Sequence, residues 1–276
     1  MAIAKNGPAR KSVDPNPGKR SETDNLGAEE QLRTEFDEWA KDGRAEKLES
    51  DHLYVTQQTM LLMDLRPGDQ VLDLSCGSGW ATRLLAGRVS EGAATGVDIS
   101  AEMVELARQD SRGIKNIEFL QAPADAIPLQ SGRFNKILSV EAFYYYPDQD
   151  RALDEMYRLL APGGRLFILI NIYRDNPSCE YWTEHLPVDA HFRSAAEYLE
   201  LLKAHGFAEV SSRQIPNRWQ PAGGYVGAVT RVIQLLKSPP QTWISRLSTR
   251  FRRAKELHEA RQAGALLLMG TKPTVV

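Results

Sequence analysis

Cysteine is almost missing from this chain: Cys76 and Cys179 are the two thiols among 276 residues. That scarcity excludes a disulfide-stapled scaffold and a zinc cluster built of cysteines. Long apolar runs are missing as well. The longest, Leu166–Ile170 and Ala265–Met269, fall far short of the ~20 residues that cross a bilayer. The first thirty residues hold no apolar stretch of signal-peptide length, so a cytoplasmic location is expected. Nor does one sign of charge dominate. Thirty-four Lys and Arg against 36 Asp and Glu leave a net charge of −2, which advertises neither nucleic acid nor an anionic membrane. What is there is ordinary: 42% hydrophobic and 25% charged residues, the composition of a soluble globular chain.

Pattern divides the chain into five stretches. Residues 1–28 carry Pro8, Pro15 and Pro17, scattered glycines and no apolar period, which predicts a disordered tail. Residues 29–66 predict a helical cap of two helices. Leu32, Phe36 and Trp39 fall at helical spacing, and Leu53, Met60, Leu61 and Met63 follow Asp51 as an expected N-cap. Residues 67–215 alternate strand-like runs at 70–75, 93–98, 116–120, 134–140, 164–171 and 207–214 with amphipathic segments near 79–88, 101–110, 149–160 and 194–205. Residues 216–263 read as a mostly helical insertion, and 264–276 supply a last strand at Ala265–Met269. The fold class that follows is α/β: a doubly wound, mostly parallel seven-stranded sheet with helices on both faces.

The sharpest chemical signal is Val71-Leu72-Asp73-Leu74-Ser75-Cys76-Gly77-Ser78-Gly79-Trp80, where an apolar strand ends in an acid and passes through two glycines into a helix. Glycines at such a turn let the backbone approach a ligand closely. Nineteen residues after Gly79, the strand from Ala93 ends at Asp98, the spacing at which an acid meets ribose hydroxyls. A dinucleotide would want a small third residue where Thr82 stands, and Asp73 would repel its pyrophosphate in a desolvated cleft. A ligand with an ammonium group, a sulfonium and a ribose but no phosphate suits these residues better. S-adenosylmethionine is such a ligand.

On these residues the chain resembles the class I, Rossmann-like S-adenosylmethionine-dependent methyltransferases of the small-molecule type, over about 65–215 and the final strand. The resemblance implies Asp73, Ser75, Gly77, Gly79 and Trp80 along the methionine end, with Ser75 standing where the family usually has glycine. Gly96-Val97-Asp98-Ile99-Ser100 is similar to the next block and implies Asp98 on the ribose diol and Ile99 against adenine. Ala122–Pro128 looks like the block that brackets adenine, through Ala124 and Asp125, with Pro123 in place of the common acid. Phe134–Ala142 and Leu160–Leu166 resemble the fourth and fifth strand blocks, Asn135 replacing an acid. Glu141 and, from the cap, Trp39 complete the expected cofactor contacts.

The expected partner is a small organic methyl acceptor. Candidates for the acceptor side are Tyr144, Glu141, Tyr173 and His185, among rings that also include Tyr145, Tyr146, Tyr181, Trp182, Trp219 and Tyr225. His185 and His191 lack a third ligand nearby, so no metal is expected. Strand four ends in Ser139-Val140-Glu141-Ala142, unlike the Asn/Asp-Pro-Pro-aromatic signature of enzymes that methylate exocyclic amines, so nucleic acid is not the expected acceptor. Two alternatives share part of the pattern: an RNA methyltransferase, and a protein that binds S-adenosylmethionine without turnover. Residues 242–261, with six Lys and Arg against Glu256 and Glu259, predict a basic amphipathic helix that packs on the core, joins a second copy or binds an anionic partner.

Overall fold

The computed structural model describes residues 22–176, 179, 183, 186, 188–217 and 264–274. Strands β1 (Gln70–Leu74), β2 (Ala93–Asp98), β3 (Ile117–Gln121), β4 (Phe134–Val140), β5 (Leu160–Ile170), β6 (Ala208–Ile215) and β7 (Ala265–Thr271) form one sheet in the order β3-β2-β1-β4-β5-β7-β6. β1 to β5 pair in parallel, and β7 runs antiparallel between β5 and β6. The order reverses between β1 and β4. In an open α/β sheet that switch point is where the loops diverge and leave a ligand crevice at the carboxyl edge.

Strand residues alternate between the two faces, and both faces are covered. Leu72, Leu74, Ile137, Leu166, Ile168, Leu266 and Leu268 join one apolar cluster. Val71, Leu138, Phe167, Leu169 and Leu267 join the other. The helices α1 (Glu22–Lys41), α2 (Arg44–Leu62), α3 (Trp80–Ala86), α4 (Ala101–Asp110), α5 (Gln149–Leu159) and α6 (Ala195–Ala204) supply the outer layers. α5 and α6 meet the first cluster through Leu153, Met156 and Leu202, and α2 and α3 meet the second through Val55, Met60 and Leu85. A fully buried side chain of this size contributes about 1.5–3 kcal/mol.

Three boundaries differ from expectation. α1 begins at Glu22, inside the stretch expected to be a tail, and carries Gly27 in its interior. Asp24 favours a helix N-terminus through its dipole, and the stretch reads as tail only because the first buried apolar residue is Leu32. α2 begins at Arg44 rather than after Asp51, with Gly43 in the left-handed conformation and no side-chain cap. Residues 44–50 are good helix formers with little apolar content, so propensity extends the helix where no apolar period marks it. β5 begins at Leu160, which pairs with Phe134 before an irregularity at the Pro162-Gly163-Gly164 turn. The expected tail before residue 22 and the helices expected over 216–263, including 242–261, lie outside the described residues.

Candidate active site

At the crevice the chain leaves β1 through a strained turn. Ser75 adopts φ 61°, a conformation that L-residues other than glycine rarely take. This is the position where the resemblance expects glycine, and the geometry gives the reason. Ser75 is held there by a 2.8 Å hydrogen bond between its hydroxyl and that of Tyr146. Gly77 follows at φ 53°, and a Cβ added to it would enter open space beside the loop, room that a ligand backing onto the turn requires. Gly79 at φ 75° has the opposite constraint: a Cβ would stand 2.7 Å from the Phe119 ring and 2.8 Å from Ala107. One glycine leaves space for a ligand, and the other lets α3 pack on its neighbours.

Two carboxylates flank this loop out of water. Asp73 is buried, and Thr82 donates a hydrogen bond to it at 2.6 Å. Burial pushes its carboxyl up to about 7, opposed by that bond. Thr82, the residue that failed the dinucleotide pattern, is therefore the partner that holds the acid. Asp98 accepts from the amides of Gly77 at 2.8 Å and Ser100 at 2.9 Å, so it ties the tip of β2 to the loop after β1. Burial raises it to about 6, and the two amides pull the other way. An ammonium beside Asp73 would lower the cost of keeping it charged.

The other expected cofactor residues fall into place unequally. Ile99 is half-buried directly after Asp98, and the amide of Ala122 donates to the Asp98 carbonyl at 2.9 Å, which brings the 122–128 loop to the same tip. Ala124 packs against the core, and Asp125 pairs with Arg151 at 3.2 Å. The ring of Trp80 lies in the apolar cluster under α2, so it is a packing residue. Trp39 is half-buried on α1, donates its indole N–H to Glu35 at 2.7 Å, and packs edge-on against Phe36.

α1 spans the crevice from one side to the other. Asp37 accepts from the Ser100 hydroxyl at 2.5 Å and the Glu102 amide at 3.3 Å, and Phe36 meets the Tyr145 ring edge-on at 5.5 Å. The first contact joins the tip of β2 and the second the turn after β4.

That turn is a short 3-10 segment, Phe143–Tyr145, and it follows a second left-handed residue, Glu141 at φ 55°. The strand tips on both sides of the switch point are thus strained. Tyr144 donates to Glu141 Oε2 at 3.0 Å, while Glu141 Oε1 is out of water with no hydrogen-bond partner. Burial pushes the carboxyl up to about 8, against the pull of the Tyr144 bond. The Tyr144 and Tyr145 rings meet at a tilt of 55° with centroids 4.6 Å apart, and Phe192 lies 5.6 Å from Tyr144. The backbone of His191 donates to the Tyr144 carbonyl at 2.7 Å, which fixes this loop on the turn. Tyr146 faces the other way, toward Ser75 and Ser139. Tyr173 is buried with its hydroxyl accepting from Gln214 on β6 at 2.7 Å. His185, Tyr181, Trp182, Trp219 and Tyr225 lie outside the described residues. Burial raises the Cys179 thiol, which leaves it without thiolate character. Among the described residues, no group of three His, Cys, Asp or Glu side chains is placed to hold a metal ion.

Several residues at this edge carry no sequence signal. Asp37, His52 and Asn171 reach it only through tertiary contacts. Asn171 follows β5, its side chain lies 3.4 Å from His52 Nδ1 on α2, and its backbone N–H faces the Glu141 carboxylate.

A doubly wound sheet, a glycine loop at its switch point and two buried acids at the tips of β1 and β2 define a Rossmann-like site. Comparison with known proteins agrees. A family model described as "Methyltransferase domain" matches residues 72–168. The chain is 37% identical over 143 residues to a 2-phytyl-1,4-naphtoquinone methyltransferase of Thermosynechococcus vestitus, covering 49% of this chain and 64% of that one. It is 38% identical over 122 residues to a ubiquinone/menaquinone biosynthesis C-methyltransferase of Legionella pneumophila, covering 43% and 48%. The matches thus span about half to two thirds of these curated relatives. A Haloferax volcanii chain solved in complex with the Trm112 methyltransferase activator superposes with TM-score 0.68 at 32% identity over 87% of this chain and 98% of that one. The chain belongs to the class I S-adenosylmethionine-dependent methyltransferases, and S-adenosylmethionine is the cofactor of that family.

Proposed function

We propose that the protein transfers a methyl group to a small, ring-bearing organic acceptor by in-line displacement. The observation that carries this reading is the wall after β4. The Tyr144, Tyr145 and Phe192 rings pack together beside the buried carboxyl of Glu141, on the same edge as Asp73 and Asp98. Asp73 would hold the ammonium group of the cofactor, Asp98 its ribose hydroxyls, and Ile99 and Ala124 the two faces of its adenine. S-adenosylmethionine, when bound, supplies the methyl on a cationic sulfur. The chain's own part is to orient the acceptor and exclude water, which is worth on the order of 7–11 kcal/mol when geometry is well fixed. Ring faces tolerate a passing cationic methyl and present a dry surface to an aromatic acceptor. Two relatives named for quinone methylation support an acceptor of that kind.

The test is calorimetry followed by turnover. S-adenosylmethionine and its demethylated product should bind while NAD does not. A panel of reduced naphthoquinones, phenols, amines and RNA should then give a methylated product, seen by mass, among the ring compounds. Methylation of RNA alone would overturn the acceptor class, and tight NAD binding would overturn the reading altogether. A second reading concerns partners. The Haloferax volcanii relative was solved with an activator protein, which supports a protein partner for this chain as well. Purification with and without a Trm112-type protein, read by molecular mass in solution, tests it. No described helix is long and apolar enough to cross a membrane.

A further inference from the structure

The acceptor wall is not purely apolar. It holds one carboxyl oxygen, Glu141 Oε1, that is out of water and without a partner, at a strand tip whose backbone is strained to φ 55°. A buried acceptor atom left empty costs free energy, and a strained residue at the mouth of a crevice is kept when it serves a ligand. Two further polar groups stand beside it. The backbone N–H of Asn171 faces the same carboxylate, and the Asn171 side chain meets His52 at 3.4 Å. Glu141, Asn171 and His52 are all half-buried. They come from β4, the end of β5 and α2, and no function described so far uses His52 or Asn171.

We propose that Glu141, Asn171 and His52 form the polar subsite that receives the hydroxyl of an aromatic acceptor, a phenol or hydroquinone, with Glu141 Oε1 accepting first its hydrogen bond and then its proton. This rests on the methyltransferase reading and names the substrate class within it. In the proton step the O–H bond of the acceptor breaks and its electron pair stays on oxygen. The proton forms a new O–H bond at Glu141 Oε1, and it leaves to water after the product departs. The chemistry of the neighbours selects a neutral hydroxyl. A carboxylate acceptor would meet Glu141 as a like charge. Burial lowers His52 to about 4, so at neutral pH it is a neutral ring that exchanges hydrogen bonds. The titratable groups around Glu141 are Tyr144 and Tyr145 on its own turn, His52 on α2 by way of Asn171, and Glu35 of α1 beyond Tyr145.

The experiment is an equilibrium titration with 2-naphthol, followed by ultraviolet difference absorbance, with and without S-adenosylhomocysteine. The full-length protein should bind 2-naphthol, and binding should tighten as pH rises through about 8, where Glu141 ionises. Glu141→Gln should weaken it at least tenfold and flatten the pH dependence, and Asn171→Ala and His52→Ala should each weaken it several-fold. Affinity for S-adenosylhomocysteine should stay within twofold in Asn171→Ala and His52→Ala, circular dichroism and thermal denaturation should show that all three variants fold, and Glu141→Asp should recover part of the loss. The isostere 2-methylnaphthalene, which lacks the hydroxyl, should bind wild type and Glu141→Gln alike. Unchanged naphthol binding in Glu141→Gln, equal losses for the isostere, or no naphthol binding by the wild type overturns the subsite. Failure of S-adenosylhomocysteine to bind would instead overturn the methyltransferase reading, a separate measurement in the same titration.

Discussion

Replacing Asp73 by asparagine should make the cofactor-free protein more stable while destroying its ligand affinity. Burial raises the Asp73 carboxyl from 3.8 to about 7. The folded chain therefore holds this proton more tightly than the unfolded chain does. The stability this gives is fully present below 3.8 and is lost as pH rises through about 7. Three pH units correspond to about 4 kcal/mol in total. Between pH 5 and pH 8 the loss is about 2–3 kcal/mol, because part of it has already occurred by pH 5. The Asp73→Asn variant would keep a side-chain oxygen for the Thr82 hydroxyl and would not titrate there, so it escapes the loss. Its advantage over wild type should grow by that amount between pH 5 and pH 8, a rise of roughly 5–10 °C in relative Tm for a chain of this size. Thermal denaturation monitored by circular dichroism at the two pH values measures it. S-adenosylmethionine should then stabilise wild type and leave the variant unmoved. A variant whose Tm difference from wild type is the same at pH 5 and pH 8 would refute the argument that Asp73 is a buried carboxylate waiting for a cation.

Other outcomes follow from the same edge. Asp98→Ala removes the acceptor of the Gly77 and Ser100 amides and of the expected ribose hydroxyls, so cofactor affinity measured by calorimetry should fall by roughly 1–3 kcal/mol. Ser75→Ala keeps the strained backbone and loses the Tyr146 bond, so it should lower stability by about 1 kcal/mol, while Ser75→Gly relieves the strain and should cost less. Equal losses for the two in thermal denaturation would show that φ at this position is unimportant. Deleting residues 1–21 should leave cofactor binding intact, whereas deleting 1–64 should abolish it, since Asp37 and Phe36 then no longer join the β2 tip to the β4 turn.

The sequence by itself determined the features whose cause is local. A strand, an acid, two glycines and a helix within one stretch from Val71 to Trp80 dictate the loop, because each element is set by neighbours a few residues away. Asp98 was legible for the same reason, since it ends the next strand at a fixed interval. So was the doubly wound sheet, whose helices and strands alternate with distinct periods. Tertiary structure decided which way the side chains of the crevice are used. Trp80, placed beside the glycines in sequence, turned into the core under α2, and Tyr173 turned to Gln214. The bonds that close the site link residues 63, 71 and 119 positions apart: Asp37 to Ser100, Ser75 to Tyr146, and His52 to Asn171. No periodicity marks such pairs, because a polar side chain on a helix looks the same whether it meets water or a partner. Only when the sheet brings the tips of β1, β2, β4 and β5 to one edge do these residues become neighbours, and burial there then raises the three carboxyls that the sequence shows as ordinary acids.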